Sequence, residues 1–430
     1  MHRIGSKKTI KSWAFYDWAN SIYSLVISTS IFPLYYGIVT ENKSVYFLGV
    51  KWEHPEALYN YALSFSFLVV AFISPILSGI ADYTGNKKQF LKFFCWMGAL
   101  SVMSLYFFED TDSISIGIWF TILASIGFWA SLVFYNAYLP EVALPEQQDR
   151  ASAKGFIYGY VGSVVLLLIC LGMILPQETK EDKLIMMRYS FVIVGIWWVG
   201  FAYFTFHRLP NNIYDKKPDN GYIWKGFREL KVVFWELKNY TSLRKFLVSF
   251  FLLSIGVQTI ILTSTIFGSK ELGLDSTSMI ITVLLVQIVA IFGAFLFSRI
   301  SEKFGNIRAL KITLAVWTLV CFCAFLLDKN QENVDVYFFG LGGLLGFVLG
   351  AIQSLTRSTY SKLLPDTQEH AIYFSFYDVT EKIAIVLGTF VYGLLYAITS
   401  SMQWSVLCLA IFFLISFVIL STLKKTKYVA

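Results

Sequence analysis

Gly79-Ile80-Ala81-Asp82-Tyr83-Thr84-Gly85-Asn86-Lys87-Lys88 joins two long apolar runs, and its pattern returns 220 residues later. Asp82, Gly85 and Lys88 become Glu302, Gly305 and Arg308, again between apolar runs. The same shift carries Leu144-Pro145-Glu146-Gln147-Gln148-Asp149 onto Leu364-Pro365-Asp366-Thr367-Gln368-Glu369, and Phe156 onto Phe376. One offset shared by separate motifs implies a duplicated half, here a half of six membrane-length runs.

The surrounding composition fits. Of the 430 residues, 56% are hydrophobic and only 15% charged, against roughly 25% charged in soluble domains. A spanning helix needs about 20 apolar residues, and backbone polar groups in lipid must be satisfied within the segment. The runs are long and continuous, unlike the short alternating segments of a membrane barrel. They predict an all-α membrane protein of twelve spans: about 13–37, 57–81, 89–108, 114–139, 152–175, 188–207, 245–268, 277–300, 309–327, 336–360, 371–398 and 403–423. We number them spans 1 to 12. The expected division is 1–207 for the first bundle, 208–244 for a polar linker and 245–430 for the second bundle, the two bundles being pseudo-symmetric. The linker holds Pro210, Pro218, Asn220 and Gly221, and Trp224 to Leu237 reads as an amphipathic helix on the membrane surface. The first apolar run lacks a small-residue cleavage site, so it reads as a retained helix.

Basic residues set the expected orientation. With both termini and the linker in the cytoplasm, 27 of the 35 Lys and Arg fall on that face and 7 on the other. The same bias accounts for the net charge of +7 without a nucleic-acid partner. The five cysteines sit in apolar runs and read as small buried hydrophobes, and the four histidines lie in loops or at helix ends. No phosphate-binding loop, nucleophile triad or metal-ligand spacing is present, which argues against an enzyme, a metal site or a cofactor.

The candidate functional residues are polar groups placed within apolar runs, where they are costly and should face the bundle interior. Asp17 and Asn20 lie one turn apart on span 1 and share a face. Asp17 is close enough to the helix start to read equally as a gate, a packing group or a substrate contact. Span 11 carries Asp378, Glu381 and Lys382, three charges in five positions, with Glu381 near mid-membrane. Their repeat partners are Tyr158 and Val161 for the two acids, so the acids belong to one half only. They read as a coupling site or as an ion-pair network, with Arg357 on span 10 a candidate partner. Gln353 and Arg357 are a turn apart and should face a cavity together. Gly346 and Gly350 allow close helix contact. Gln258, Gln287 and Asn136 are further intramembrane amides, each readable as a cavity group or as a helix-to-helix bond. In the repeated loop, Gly79 permits close approach and Gly85 a tight turn. Asp82 can act on a helix N-terminus or a cation, and Lys87 and Lys88 are expected to reach lipid headgroups.

The repeated loop resembles the signature loop of the major facilitator superfamily, with Glu302, Gly305 and Arg308 as its weaker copy. Ser12-Trp13-Ala14-Phe15-Tyr16-Asp17-Trp18-Ala19-Asn20-Ser21 resembles the first helix of the autophagy-related vacuolar effluxer-like branch. Tyr135 to Glu141, Arg150 to Gly162, Gly350 to Ser358 and Phe376 to Lys382 resemble it too, which covers both halves. Fungal members of that branch are associated with exporting amino acids from the vacuole. The compact chain looks like a bacterial member. The resemblance implies a monomeric secondary transporter in the cytoplasmic membrane. It would export small organic solutes, amino acids foremost, by alternating access, with protons as a coupling ion through Asp378 or Glu381. A cation-coupled sugar, drug or lipid porter is the alternative, as is a non-transporting receptor or scaffold.

Overall fold

The computed structural model describes residues 4–216 and 222–423; Arg3, Pro218, Asn220, Gly221, Lys424, Lys425 and Lys427, used in the sequence reading, lie outside them. Among the described residues, twelve helices are long and apolar enough to cross a membrane. They are Lys7–Thr40, Pro55–Thr84, Lys87–Phe107, Ile114–Val142, Pro145–Ile174, Lys180–Arg208, Thr241–Glu271, Thr277–Phe304, Asn306–Phe325, Val334–Leu363, His370–Thr399 and Met402–Ser421. These are the expected spans in order. Most run a turn or two beyond the apolar stretch, because a helix continues into the headgroup region where hydropathy no longer marks it.

Packing within each half shows the duplication. Spans 1 and 5, 1 and 6, 2 and 4, 3 and 4, and 3 and 6 pack together. So do 7 and 11, 7 and 12, 8 and 10, 9 and 10, and 9 and 12. Adding six to each pair of the first set gives the second set. Across the halves, spans 5 and 8 pack as do 11 and 2, and 5 and 10 as do 11 and 4. Two six-helix bundles therefore meet about a pseudo-twofold axis.

Small residues bring the helices close. A Cβ on Gly346 or Gly350 would fall 2.4 Å from the Val286 carbonyl oxygen or 2.0 Å from that of Ala290, so spans 8 and 10 touch through backbone. Gly85 closes span 2 with φ +71° and Gly305 closes span 8 with φ +91°, both in the region that disfavours a side chain.

Among the described residues, the one departure from an all-helical reading is a small hairpin between spans 1 and 2: β1 (Val45–Phe47) pairs antiparallel with β2 (Val50–Trp52). Leu48 and Gly49 both have positive φ, as a two-residue hairpin turn requires. Within span 1, Tyr23–Ile31 winds as a π-helix before Pro33. Trp13, Trp198, Trp317, Tyr16, Tyr35 and Tyr135 are fully buried between helices.

Candidate functional site

An even number of spans puts both chain ends and the linker on one side, here called the proximal side. Between the bundles lies a cavity of about 320 Å³. Its wall runs from Asp17, Asn136 and Arg357 to Thr29, Thr265 and Phe338 near the distal span ends. Of the ten residues expected at the substrate or coupling site, Asp17, Asn136, Gln258, Gln287, Gln353, Arg357 and Glu381 line this cavity. Asn20, Asp378 and Lys382 are not on its wall. Three residues along a helix is about 300° of rotation, so Asn20 turns roughly 60° away from Asp17 and is fully buried.

The floor is one interlocked group. Arg357 of span 10 reaches across the bundle interface to Asp17, with both terminal guanidinium nitrogens 3.3 Å from Oδ2. Its Nε donates to Ser152 Oγ at 2.9 Å, one Nη to the Ser152 carbonyl at 2.8 Å and the other to Asn136 Oδ1 at 3.2 Å. Tyr135 donates its hydroxyl to Asp17 Oδ2 at 2.8 Å. Trp13 stacks on Tyr135 with centroids 4.7 Å apart, and its indole N–H donates to the Tyr135 carbonyl. The rings of Phe156, Trp13 and Tyr135 surround the guanidinium at 4.2 to 5.5 Å. The expected pairing of Arg357 with the span 11 acids is thus replaced by a pair with the opposite bundle. Just distal, Tyr160 donates to Gln353 Oε1 at 2.6 Å, again between bundles.

The span 11 charges form a second group. Lys382 Nζ lies 3.0 Å from Asp378 and 3.3 Å from Glu381, and 3.5 Å from the centre of the Trp129 ring on span 4. Gln258 of span 7 donates to Glu381 Oε1 at 2.6 Å. Asp378 is buried, and its Oδ2 has no hydrogen-bond partner among the described residues. Two carboxylates share one lysine, so one negative charge is uncompensated beside the cavity when both are ionised.

Proximal to the floor, two further groups tie the bundles together. Asp82 accepts the backbone N–H of Ile372 at 2.8 Å, at the start of span 11, where a carboxylate complements the helix dipole. Lys87 lies 3.5 Å from Asp82 and bonds Glu141, whose carboxylate also accepts from His370 Nδ1 at 3.0 Å. Lys88 donates to the Leu209 carbonyl at 2.7 Å. Both lysines are therefore buried, correcting the expectation that they reach headgroups. The carboxylates at Asp82 and Glu141 draw in Lys87, and the Leu209 carbonyl just past the end of span 6 draws in Lys88. A Cβ at Gly79 would meet the linker's Gly226 carbonyl at 2.4 Å, and one at Gly85 would meet Asn212 Oδ1 at 2.1 Å.

The second copy is built differently. Arg150 of span 5 pairs with Glu302 at 2.6 Å. Asp149 accepts from Ser301, Asn306 and Lys362 at 2.8, 2.8 and 2.7 Å. Arg308 is exposed. Glu141, His370, Asp149, Asn306, Lys362 and Ser152 are site residues that the sequence reading does not single out, and Lys87 is one that it reads in another role. Asp149 alone had a signal, its place in the repeated motif.

Among the described residues, the polar contacts between the bundles lie on the proximal half, and the cavity wall reaches the distal ends. The geometry is that of a carrier sealed on one side. Replacing Asp82 by Asn keeps an acceptor but removes the charge that the span 11 N-terminus and Lys87 face. Such dipole contacts contribute about 0.3–2 kcal/mol. We expect Asp82→Asn to lower flux while the protein remains in the membrane, read by transport and membrane abundance together; unchanged flux would remove the latch role.

Comparison with known proteins agrees with this architecture. A family model described as "Vacuole effluxer Atg22 like" matches residues 5–428. The chain is 31% identical over 417 residues to the uncharacterized MFS-type transporter YxiO of Bacillus subtilis, covering 96% of this chain and 94% of that one. It is 24% identical to autophagy-related protein 22 of Coccidioides immitis, covering 91% and 82%. Among solved structures it resembles the major facilitator transporter FucP in the outward conformation, with TM-score 0.72 at 12% identity over 97% and 99% of the chains. It also resembles an outward-facing bacterial homologue of the iron transporter ferroportin, with TM-score 0.68 at 13% identity over 96% and 98%. The fold is the major facilitator fold.

Proposed function

The chain belongs to the Atg22-like vacuole effluxer family of major facilitator transporters, and on that premise we propose that it exports amino acids by proton-coupled alternating access across a bacterial cytoplasmic membrane. The observation that carries the reading is the charge balance at the cavity. Asp17 and Arg357 cancel each other, and Lys382 cancels one of Asp378 and Glu381, which leaves a single negative charge at Glu381. An unpaired charge in a membrane interior is costly, so the site favours a proton or a substrate ammonium group. An ammonium at Glu381 places the rest of a small zwitterion among Gln258, Gln353 and the guanidinium of Arg357. A neutral sugar is the second reading. Gln287 and the hydroxyls of Ser24, Ser28 and Thr29 on the wall favour it, and Glu381 is then left to the proton.

The test is flux in proteoliposomes holding the full chain, with a panel of labelled amino acids and sugars and an imposed pH gradient. Saturable, gradient-dependent movement of amino acids supports the reading. Movement of sugars alone selects the second. No flux for any solute, with the protein folded, leaves a receptor or scaffold. The proposed orientation carries its own expected outcome: reporter fusions report both termini in the cytoplasm, and Lys225→Cys is not labelled by an impermeant reagent outside intact cells.

A further inference from the structure

The linker helix Tyr222–Glu236 has no part in the transport reading, and its two faces differ sharply. One face is docked. Val233 is buried, and a Cβ on Gly226 would fall 2.7 Å from the Ile80 backbone nitrogen of span 2. At its edge Phe234, itself half-exposed, sits 6.1 Å, centroid to centroid, from Phe376 of span 11. Lys225 lies 5.7 Å from the ring of Tyr83. The helix is thus a strap across the two spans that Asp82 latches together. The other face exposes Ile223, Trp224, Phe227 and Trp235, with Trp224 79% exposed. Arg228 and Lys231 lie on the same side, and Lys238 covers the Trp235 ring at 3.9 Å.

Depth tells what covers this face. Spans 2 and 11 each have 30 residues, about 45 Å at 1.5 Å per residue, which matches a bilayer including its headgroups. Gly79 is five residues from the end of span 2 and Phe376 six residues from the start of span 11, so the strap docks roughly 8–9 Å inside the span ends. It sits at headgroup level rather than in bulk water. Tryptophan and phenylalanine interleaved with Arg and Lys is the composition of a helix lying in a charged membrane interface.

We propose that the outer face of the linker helix is a binding site for anionic phospholipid of the proximal leaflet. The aromatic side chains enter the acyl boundary, and Arg228, Lys231 and Lys238 meet the headgroup phosphates. Lipid binding there holds the strap against Gly79 and Phe376, next to the Asp82 latch.

The test uses the full chain with a nitroxide at Phe227→Cys in a cysteine-free background. The vesicles are phosphatidylcholine alone or phosphatidylcholine with phosphatidylglycerol. Accessibility to oxygen relative to an aqueous nickel complex reports depth, with a label at the exposed Asn211→Cys as the loop reference. With phosphatidylglycerol, the ratio at position 227 should exceed the reference several-fold, and Arg228→Gln with Lys231→Gln should return it toward the value in phosphatidylcholine alone. Each basic residue near an anionic leaflet is worth about 1 kcal/mol, so the pair changes anionic-lipid affinity about 30-fold. That double variant keeps the docked face, so folding is preserved. Three results overturn the proposal. Position 227 could be as water-accessible as position 211. It could be lipid-exposed without regard to phosphatidylglycerol or the basic pair. Or it could be shielded from both reagents, which indicates a protein partner.

Discussion

Glu381→Gln is expected to abolish proton-driven net transport while equilibrium exchange of substrate persists. Lys382 is shared between Asp378 and Glu381, at 3.0 and 3.3 Å. With Glu381 protonated, the group is neutral; with Glu381 ionised, it carries one negative charge. Glutamine copies the neutral form and holds it permanently, so no proton can be released when the site changes sides. Exchange needs no proton release and should continue. If a substrate ammonium also binds Glu381, exchange affinity falls by roughly 10–100-fold, because a hydrogen bond to a charged group is worth about 1.5–3 kcal/mol. Paired assays in proteoliposomes, with a pH gradient and then at equal pH, separate the two effects. Full gradient-driven transport by the variant would sink the coupling role and leave a structural ion-pair network. Asp378→Asn should behave differently. Asp378 is buried off the cavity, so its loss should lower the yield of folded protein before it alters coupling.

The fold was readable because membrane helices declare themselves locally. Long apolar runs give the spans, and the constant 220-residue offset gives the two bundles. The polar residues of the cavity were readable in part, since Gln258, Gln353 and Glu381 stand out against an apolar background. What the sequence does not carry is which residue meets which across the bundle interface. Arg357 pairs with Asp17, 340 positions away, and spacing rules reach only a helical turn or two. Faces also mislead at spacing three. Asp378 and Glu381 are about 60° apart around span 11, enough to bury one off the cavity and leave the other on its wall. Lys87 and Lys88 look like headgroup lysines because they follow a span end. Only the folded chain brings Glu141, Asp82 and the Leu209 carbonyl to them.

Arg357→Ala is expected to open the proximal seal. The guanidinium holds Asp17, Asn136 and both polar atoms of Ser152 at once, so its removal leaves Asp17 buried with Tyr135 as its remaining hydrogen-bond partner here. Breaking one partner of a buried pair costs about 3–5 kcal/mol, and that cost falls on the sealed state in which the pair forms. Arg357→Lys should also fail, because an ammonium cannot span the same fork of acceptors. The readout is Ser21→Cys on the cavity wall of a chain lacking the five native cysteines, labelled by an impermeant maleimide from the proximal side. Labelling should be slow with Arg357 present and much faster in Arg357→Ala. The double variant Asp17→Asn with Arg357→Gln removes both charges together, so it should be less destabilised than Arg357→Ala alone. Unchanged labelling in a folded Arg357→Ala protein would show that the seal rests on the Asp82 and Asp149 groups instead, and that Arg357 serves the cavity alone.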